Sequence, residues 1–402
     1  MPVYLDHAAT TPVTRHALEA FSEQAARGGN PSSLHAAGQR ARRALEDARE
    51  SLAASLGAHP SEVVFTSGGT EADNLAVKGL YWSRRLADPR RTRILCSSIE
   101  HHAVMDTVEW LEQHEGAEAV WLPCGPDGVT SVDAVRAELG RDPGSIALVT
   151  VMWANNEVGS IQPVQEIAAL AAQHGIPVHS DAVQAVGHVP VDFAGSGLAT
   201  MAVSGHKIGA PVGVGALVVR RDVTVMPVQH GGGQQRGLRS GTLDAPGAAA
   251  FAAAASDAVG RLPEEAARLA RLRDRLAAGV LETVPDARLS GPSDAALRLP
   301  GIAHFTFPGC EGDSLLFLLD MMGVESSTGS ACTAGVPRPS HVLLAMGLTE
   351  EQARGAQRFS LGWSSTDDDV DALLAVVGRA FDQARKAGMA GHESSIRTAS
   401  TR

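Results

Sequence analysis

Two residue types at two predicted strand ends set out the first possible chemistry in this chain. Lys207 closes the run Ala202-Val203-Ser204-Gly205-His206-Lys207, and Asp181 follows Ile176-Pro177-Val178-His179-Ser180. As neighbouring strands of an open α/β sheet, these runs deliver an amine and a carboxylate to one edge, where such sheets bind ligands. An amine able to form an imine and a carboxylate able to hold a ring nitrogen protonated are what pyridoxal phosphate (PLP) asks of a protein. A lysine in a solvated turn is the plain alternative, and the other segments decide between them.

An anion site is one such segment. Thr66-Ser67-Gly68-Gly69-Thr70-Glu71-Ala72-Asp73-Asn74 follows Val63-Val64-Phe65 and opens a predicted helix. Glycines let the backbone approach an anion, and a helix N-terminus offers free N–H groups and a favourable dipole. Thr70 adds a hydroxyl. Thr70-x-x-Asp73 also reads as a capping box, which needs no ligand. A second glycine run, His230-Gly231-Gly232-Gly233, leads to Arg239-Ser240-Gly241-Thr242. It could build an oxyanion hole only beside a G-x-S-x-G elbow, and the chain has none. It is a plain loop or a second phosphate contact. No P-loop and no G-x-G-x-x-G after a strand is present, so ATP and dinucleotides lack their usual cradle.

Of the four cysteines, Cys332 differs from the rest. It sits in Ser326-Ser327-Thr328-Gly329-Ser330-Ala331-Cys332-Thr333-Ala334-Gly335, among small residues that cannot build a core. Cys96 and Cys310 read as buried fillers, and Cys124 lies in a Pro/Gly turn. A thiol on a small-residue loop can travel to a substrate, which suits a nucleophile. No C-x-x-C pair and no histidine at ligand spacing accompanies any of them, so neither a disulfide framework nor a metal site is expected.

The elements that must position these residues follow an α/β rhythm. The chain has 402 residues, 44% hydrophobic and 20% charged, with a net charge of -11. That length suggests two domains, and that charge argues against a nucleic-acid surface. A helix is predicted over 34–57, stopped by Gly57. Strands are predicted near 62–66, 92–97, 145–152, 176–180, 199–203 and 213–220, with helices near 70–84, 102–115, 131–139 and 164–174. This alternation reads as βαβ units around a mainly parallel sheet. From about 247 to 281 one long helix is expected, then strands near 303–307 and 356–361 with helices near 312–320, 340–346 and 367–388. Residues 389–402 are small and polar without periodicity, and disorder is expected there. The start, Met1-Pro2-Val3-Tyr4-Leu5-Asp6, lacks the basic and apolar regions of a signal peptide, and no apolar run approaches membrane length, so a cytoplasmic address is expected.

Together these segments resemble cysteine desulfurases of the NifS/IscS type, in the class V group of PLP-dependent enzymes with the aminotransferase fold. The resemblance runs from Tyr4-Leu5-Asp6-His7-Ala8-Ala9-Thr10-Thr11-Pro12 through Arg358-Phe359-Ser360-Leu361-Gly362. It implies fold type I, with a large PLP-binding domain over 15–250 built on a seven-stranded, mainly parallel sheet. A smaller α+β domain, from 1–14 and 251–388, would carry the cysteine loop.

The resemblance also implies roles. Lys207 would join the cofactor aldehyde and later move protons, Asp181 would pair with the pyridine nitrogen, and Gln184 and Asn156 would lie near the ring oxygen. His101, in Ser98-Ile99-Glu100-His101-His102-Ala103-Val104, would stack on the ring and serve as acid or base, leaving His102 a solvated neighbour. Gly69, Thr70, Ser204 and His206 would hold the phosphate. Thr242 would reach the phosphate of a second subunit, which implies a homodimer. Asn30, in Gly29-Asn30-Pro31-Ser32-Ser33, and Arg358 would hold the substrate carboxylate, a task that suits a two-pronged guanidinium. Arg239 is left open between an ion pair and a second anion contact. Cys332 would take sulfur from L-cysteine as a persulfide and pass it to an acceptor protein of iron–sulfur assembly or tRNA thiolation, releasing alanine. Selenocysteine lyase or another class V reaction is the alternative, with a non-catalytic binding subunit behind it. After Lys207 the family usually continues Tyr-Gly-Pro-Lys-Gly, whereas this chain reads Ile208-Gly209-Ala210-Pro211-Val212-Gly213.

Overall fold

The computed structural model describes residues 2–329 and 339–399, so Cys332 lies outside the described residues. Seven strands form the large sheet, in the order Val63–Thr66, Gly215–Val219, Thr200–Ser204, Val178–Asp181, Ile146–Thr150, Arg93–Ser97 and Glu118–Leu122. Only Gly215–Val219 runs against the others. Every residue of the five strands between the two edges is buried. Helices cover both faces, so these strands read as continuous apolar runs rather than alternating ones.

The edge strand Glu118–Leu122 escaped sequence reading because its pattern is mixed, from an exposed Glu118 to a buried Leu122. Val178–Asp181 starts two residues later than expected. Pro177 has no N–H to give to a ladder.

Register sets the site. Asp181 pairs with Ala202 on the adjacent parallel strand, so Asp181 and the Gly205–Lys207 turn emerge at the same sheet edge.

A second, antiparallel sheet joins Arg288–Leu289, Ile302–Thr306 and Ala356–Ser360. The chain start belongs beside it. Val3–Tyr4 pairs with Val324–Glu325, and Asp6 bridges to Ser360. One apolar core lies under the large sheet and takes in Phe251 and the alanines of helix Ala245–Gly260. A separate core gathers Leu5, Leu276, Phe305, Phe307, Phe359 and Phe381.

The single helix expected over 247–281 is in fact two, Ala245–Gly260 and Leu262–Thr283, broken at Arg261. Pro263 in the first turn of the second helix explains the break, because it cannot donate to a continuing ladder. The last helix, Asp367–Ala399, runs on through most of the segment expected to lack structure. Nothing in 389–399 is proline, so no residue there stops the ladder. No helix among the described residues is long and apolar enough to cross a membrane.

Candidate active site

A cavity of about 380 Å³ opens at the carboxyl ends of the large-sheet strands. Its lining includes Gly69, Thr70, His101, Asn156, Asp181, Gln184, Ser204, His206, Lys207 and Arg358, and so unites most residues singled out in the sequence. Asn30 and Thr242 are exposed and do not line this cavity in the single chain. Asn30 instead accepts the Ser32 N–H at 2.9 Å through its own side-chain oxygen.

Lys207 sits in a tight turn just after its strand. Its Nζ donates to the carbonyls of Ala8 at 2.6 Å and Ala9 at 2.8 Å, so the chain start forms one wall of the lysine site. Gln184 Nε2 donates to the same Ala8 carbonyl at 2.8 Å, leaving its second N–H free. Burial, and then the charge of Arg358, bring Lys207 down to about 8. At neutral pH an appreciable fraction is therefore the free amine, the form that adds to a carbonyl.

Asp181 is buried, and its Oδ1 accepts the Val183 N–H at 2.8 Å. Burial and the charge of Asp73 push it up to about 7. A cation at its open side would reverse that shift. Behind it, His179 binds Thr200 Oγ1 at 2.9 Å and Asp73 Oδ1 at 3.2 Å, all inside the protein. Asp73 therefore does not cap its helix.

The N-cap of Gly69–Ala87 is Gly68, with no side-chain cap bond, which leaves the first N–H groups open toward the cavity. Beside them lies Ser204 Oγ, buried and without a hydrogen-bond partner. An orphaned hydroxyl, open helix N–H groups and a glycine pair make a cradle that a phosphate would satisfy. His206 joins this edge, its Nδ1 3.2 Å from Thr10 Oγ1. Burial and Lys207 lower it to about 4, so it is a neutral donor or acceptor. Arg239 is settled by geometry. It grips Glu71 with two bonds, of 2.7 and 3.2 Å.

His101 is the N-cap of helix His102–Glu115, its Nδ1 accepting the Ala103 N–H at 3.1 Å. Burial, chiefly, lowers its pKa. In the neutral ring the hydrogen is then on Nε2. His102 does more than meet solvent. It pairs with Asp106 at 3.0 Å, packs edge-on to His341 and also lines the cavity.

Arg358 reaches the cavity from the smaller sheet. Its terminal nitrogens bind Asp6 Oδ1 and the Asn156 carbonyl, both at 2.8 Å, while its buried Nε has no partner. Among the described cysteines, Cys96 and Cys310 are buried, Cys124 is half-buried, and none lines the cavity. Burial raises all three thiols, that of Cys310 to about 11.

Sequence reasoning assigned no role to Asp6, Asp73, Glu157, His179 or His341, which line or buttress the site. The available signal was polarity in the wrong place. His179 lies mid-strand in a fully buried run, and Glu157 adjoins two asparagines in a turn.

Comparison with known proteins agrees with this geometry. The model of the Aminotransferase class-V family matches residues 3–373. The IscS-like cysteine desulfurase of Mycobacterium tuberculosis is 57% identical, over 96% of this chain and 98% of its own length. A solved NifS-like protein superposes with a TM-score of 0.87 at 34% identity, covering 95% of this chain and all of the other. SspA, solved in complex with cysteine, superposes with a TM-score of 0.75 at 34% identity, over 89% of this chain and 98% of its own. With a lysine and a buried aspartate at one sheet edge and an orphaned phosphate cradle beside them, this chain belongs to the class-V aminotransferase family and, within it, to the cysteine desulfurases.

Proposed function

We propose that the chain uses PLP to move the sulfur of L-cysteine onto Cys332 as a persulfide, releasing L-alanine. The sulfur then passes to an acceptor protein of iron–sulfur cluster assembly or tRNA thiolation, in the cytoplasm. One observation carries the reading. Lys207, Asp181 and Arg358 line a single cavity together with Gly329, which directly precedes the segment 330–338 that contains Cys332.

When bound, PLP supplies a carbonyl carbon for amines and an electron sink for the carbon next to the amine. The rest falls to the chain. Asp181 holds a proton at the ring nitrogen, and His101 covers the ring face. Gln184, through its spare N–H, and Asn156 address the ring oxygen. Gly69, Thr70, Ser204 and His206 hold the phosphate, and Thr242 of a second copy completes it, which makes the working unit a homodimer. Arg358 and Asn30 hold the substrate carboxylate. Lys207, lowered to about 8, takes the Cα proton once cysteine has displaced it.

The Cys332 thiolate then attacks the substrate sulfur. An S–S bond forms as the Cβ–S bond breaks, and the electrons of the broken bond return to carbon. That carbon takes a proton and leaves as alanine. An ordinary thiol is mostly protonated at neutral pH, and the neutral His101 is the base nearest to hand.

Substituting Cys332→Ala tests the reading. The variant should keep the cofactor's colour and its spectral change on adding cysteine, while persulfide and sulfide formation fall by at least about 100-fold. Turnover at the parent rate would remove Cys332 from the reaction.

A further inference from the structure

Glu157 lines the cavity, is 3% exposed, and has no part in the chemistry above. Its Oε2 accepts the Ser340 hydroxyl at 2.5 Å. On its other side stands Gly329, where an added Cβ would lie 3.6 Å from both Cγ and Oε2 of Glu157. The Gly329 backbone therefore rests on the same side chain. Residues 330–338 fall between these two contacts. The chain leaves the described fold, and re-enters it, against one buried acid.

Both partners are themselves fixed. Asn155 Oδ1 accepts the N–H groups of Glu157 and Val158, each at 2.9 Å, and Asn155 Nδ2 donates to the Ile99 carbonyl at 3.1 Å. Ser340 is buried, and its Oγ also accepts the Leu343 N–H at 3.2 Å, capping helix His341–Ala345. The same turn that carries Glu157 presents the Asn156 carbonyl to Arg358. One rigid turn thus touches the candidate carboxylate-binding arginine and both ends of the segment that holds the thiol. Burial pushes the Glu157 carboxyl up, and the Ser340 hydroxyl pulls it back.

We infer that Glu157 is a positioning residue for sulfur transfer, acting through Ser340 and Gly329 to tether both ends of segment 330–338 beside Arg358. The inference rests on the reading of Cys332 as the sulfur-accepting thiol. Its physical basis is entropic. Ends held at one point are brought together once, on folding, and not again in each turnover.

The test uses the PLP-loaded enzyme. Glu157→Ala and Ser340→Ala should each slow alanine formation in a single turnover by about tenfold, and the double variant should lose little more than either single one. The cysteine concentration that half-saturates the cofactor's spectral change should stay within about twofold, since substrate binding does not use the tether. Glu157→Gln, whose amide oxygen still accepts a hydroxyl hydrogen, should recover most of the lost rate. The tether is overturned by a parent rate in Glu157→Ala, by cysteine binding lost in parallel with turnover, or by no recovery with glutamine. Cys332→Ala separates the two failures. Normal turnover by that variant sinks the thiol reading and the tether with it, whereas its inactivity beside a fully active Glu157→Ala sinks the tether alone.

Discussion

The two walls of the cavity are built on opposite terms. On the large-sheet wall, polar groups wait. Ser204 Oγ is buried without a partner, Asp181 accepts one backbone N–H, and helix Gly69–Ala87 opens without a side-chain cap. On the wall made by the smaller sheet and the chain start, polar groups are largely paired already. Arg358 holds Asp6 and the Asn156 carbonyl, and Glu157 holds Ser340. An unpaired buried polar group is costly, so natural folds keep few of them. The difference matches two kinds of guest. A resident cofactor can be counted on to satisfy the first wall, whereas a substrate that comes and goes leaves the second wall needing partners of its own.

Arg358→Ala would break this comparison most directly. It removes a charged double contact to a carboxylate, worth about 3 kcal/mol and hence on the order of 100-fold in the KM for cysteine. It also strands Asp6, so thermal stability should fall as well. Steady-state kinetics decide. A loss confined to kcat, with KM unchanged, would move Arg358 away from the substrate.

Ser204→Ala sharpens the other side. PLP affinity should drop by about tenfold, the worth of one hydrogen bond to a charged acceptor. The melting temperature of the cofactor-free protein should hold or rise, because alanine removes a buried hydroxyl that has no protein partner. A clear drop in that melting temperature would show that Ser204 serves the fold and not a ligand.

The same division governs how much was legible in the sequence. Lys207 and Asp181 could be placed because strand ends in an α/β pattern share an edge, and the structure puts both in one cavity. Thr70 and Asp73 show where local rules mislead. Their spacing fits a capping box, yet Asp73 is committed to His179, a partner remote in the chain. No local pattern encodes that contact. Glu157 and Asp6 went unassigned for the same reason, since their partners Ser340 and Arg358 lie far along the chain. The helix break at Arg261 was different. Pro263 announces it, and the alanine- and leucine-rich pattern running through both helices obscured it. Roles of waiting groups follow from residue type and element, while roles of paired groups follow from tertiary contacts.

The smallest effect is the most diagnostic, and it concerns Asp181. In the cofactor-free protein its folded pKa is raised to about 7, against an ordinary value near 4. A raised acid keeps its proton in the fold while the unfolded chain has lost it. Its stabilising share is therefore whole below about pH 4 and drains away as pH climbs to about 7, by up to about 1.4 kcal/mol per pH unit. Asp181→Asn mimics the protonated form and escapes this drain. Stripped of PLP, the variant should match the parent near pH 4 and melt a few degrees higher by about pH 7, with the gap constant above that. Adding PLP should reverse the order, because an ionised Asp181 then faces a protonated ring nitrogen that asparagine cannot match. Melting curves of both proteins, with and without PLP across that range, read the crossover. Parallel curves in the stripped proteins would mean that Asp181 is already charged and partnered, and the contrast between the two walls would lose its strongest member.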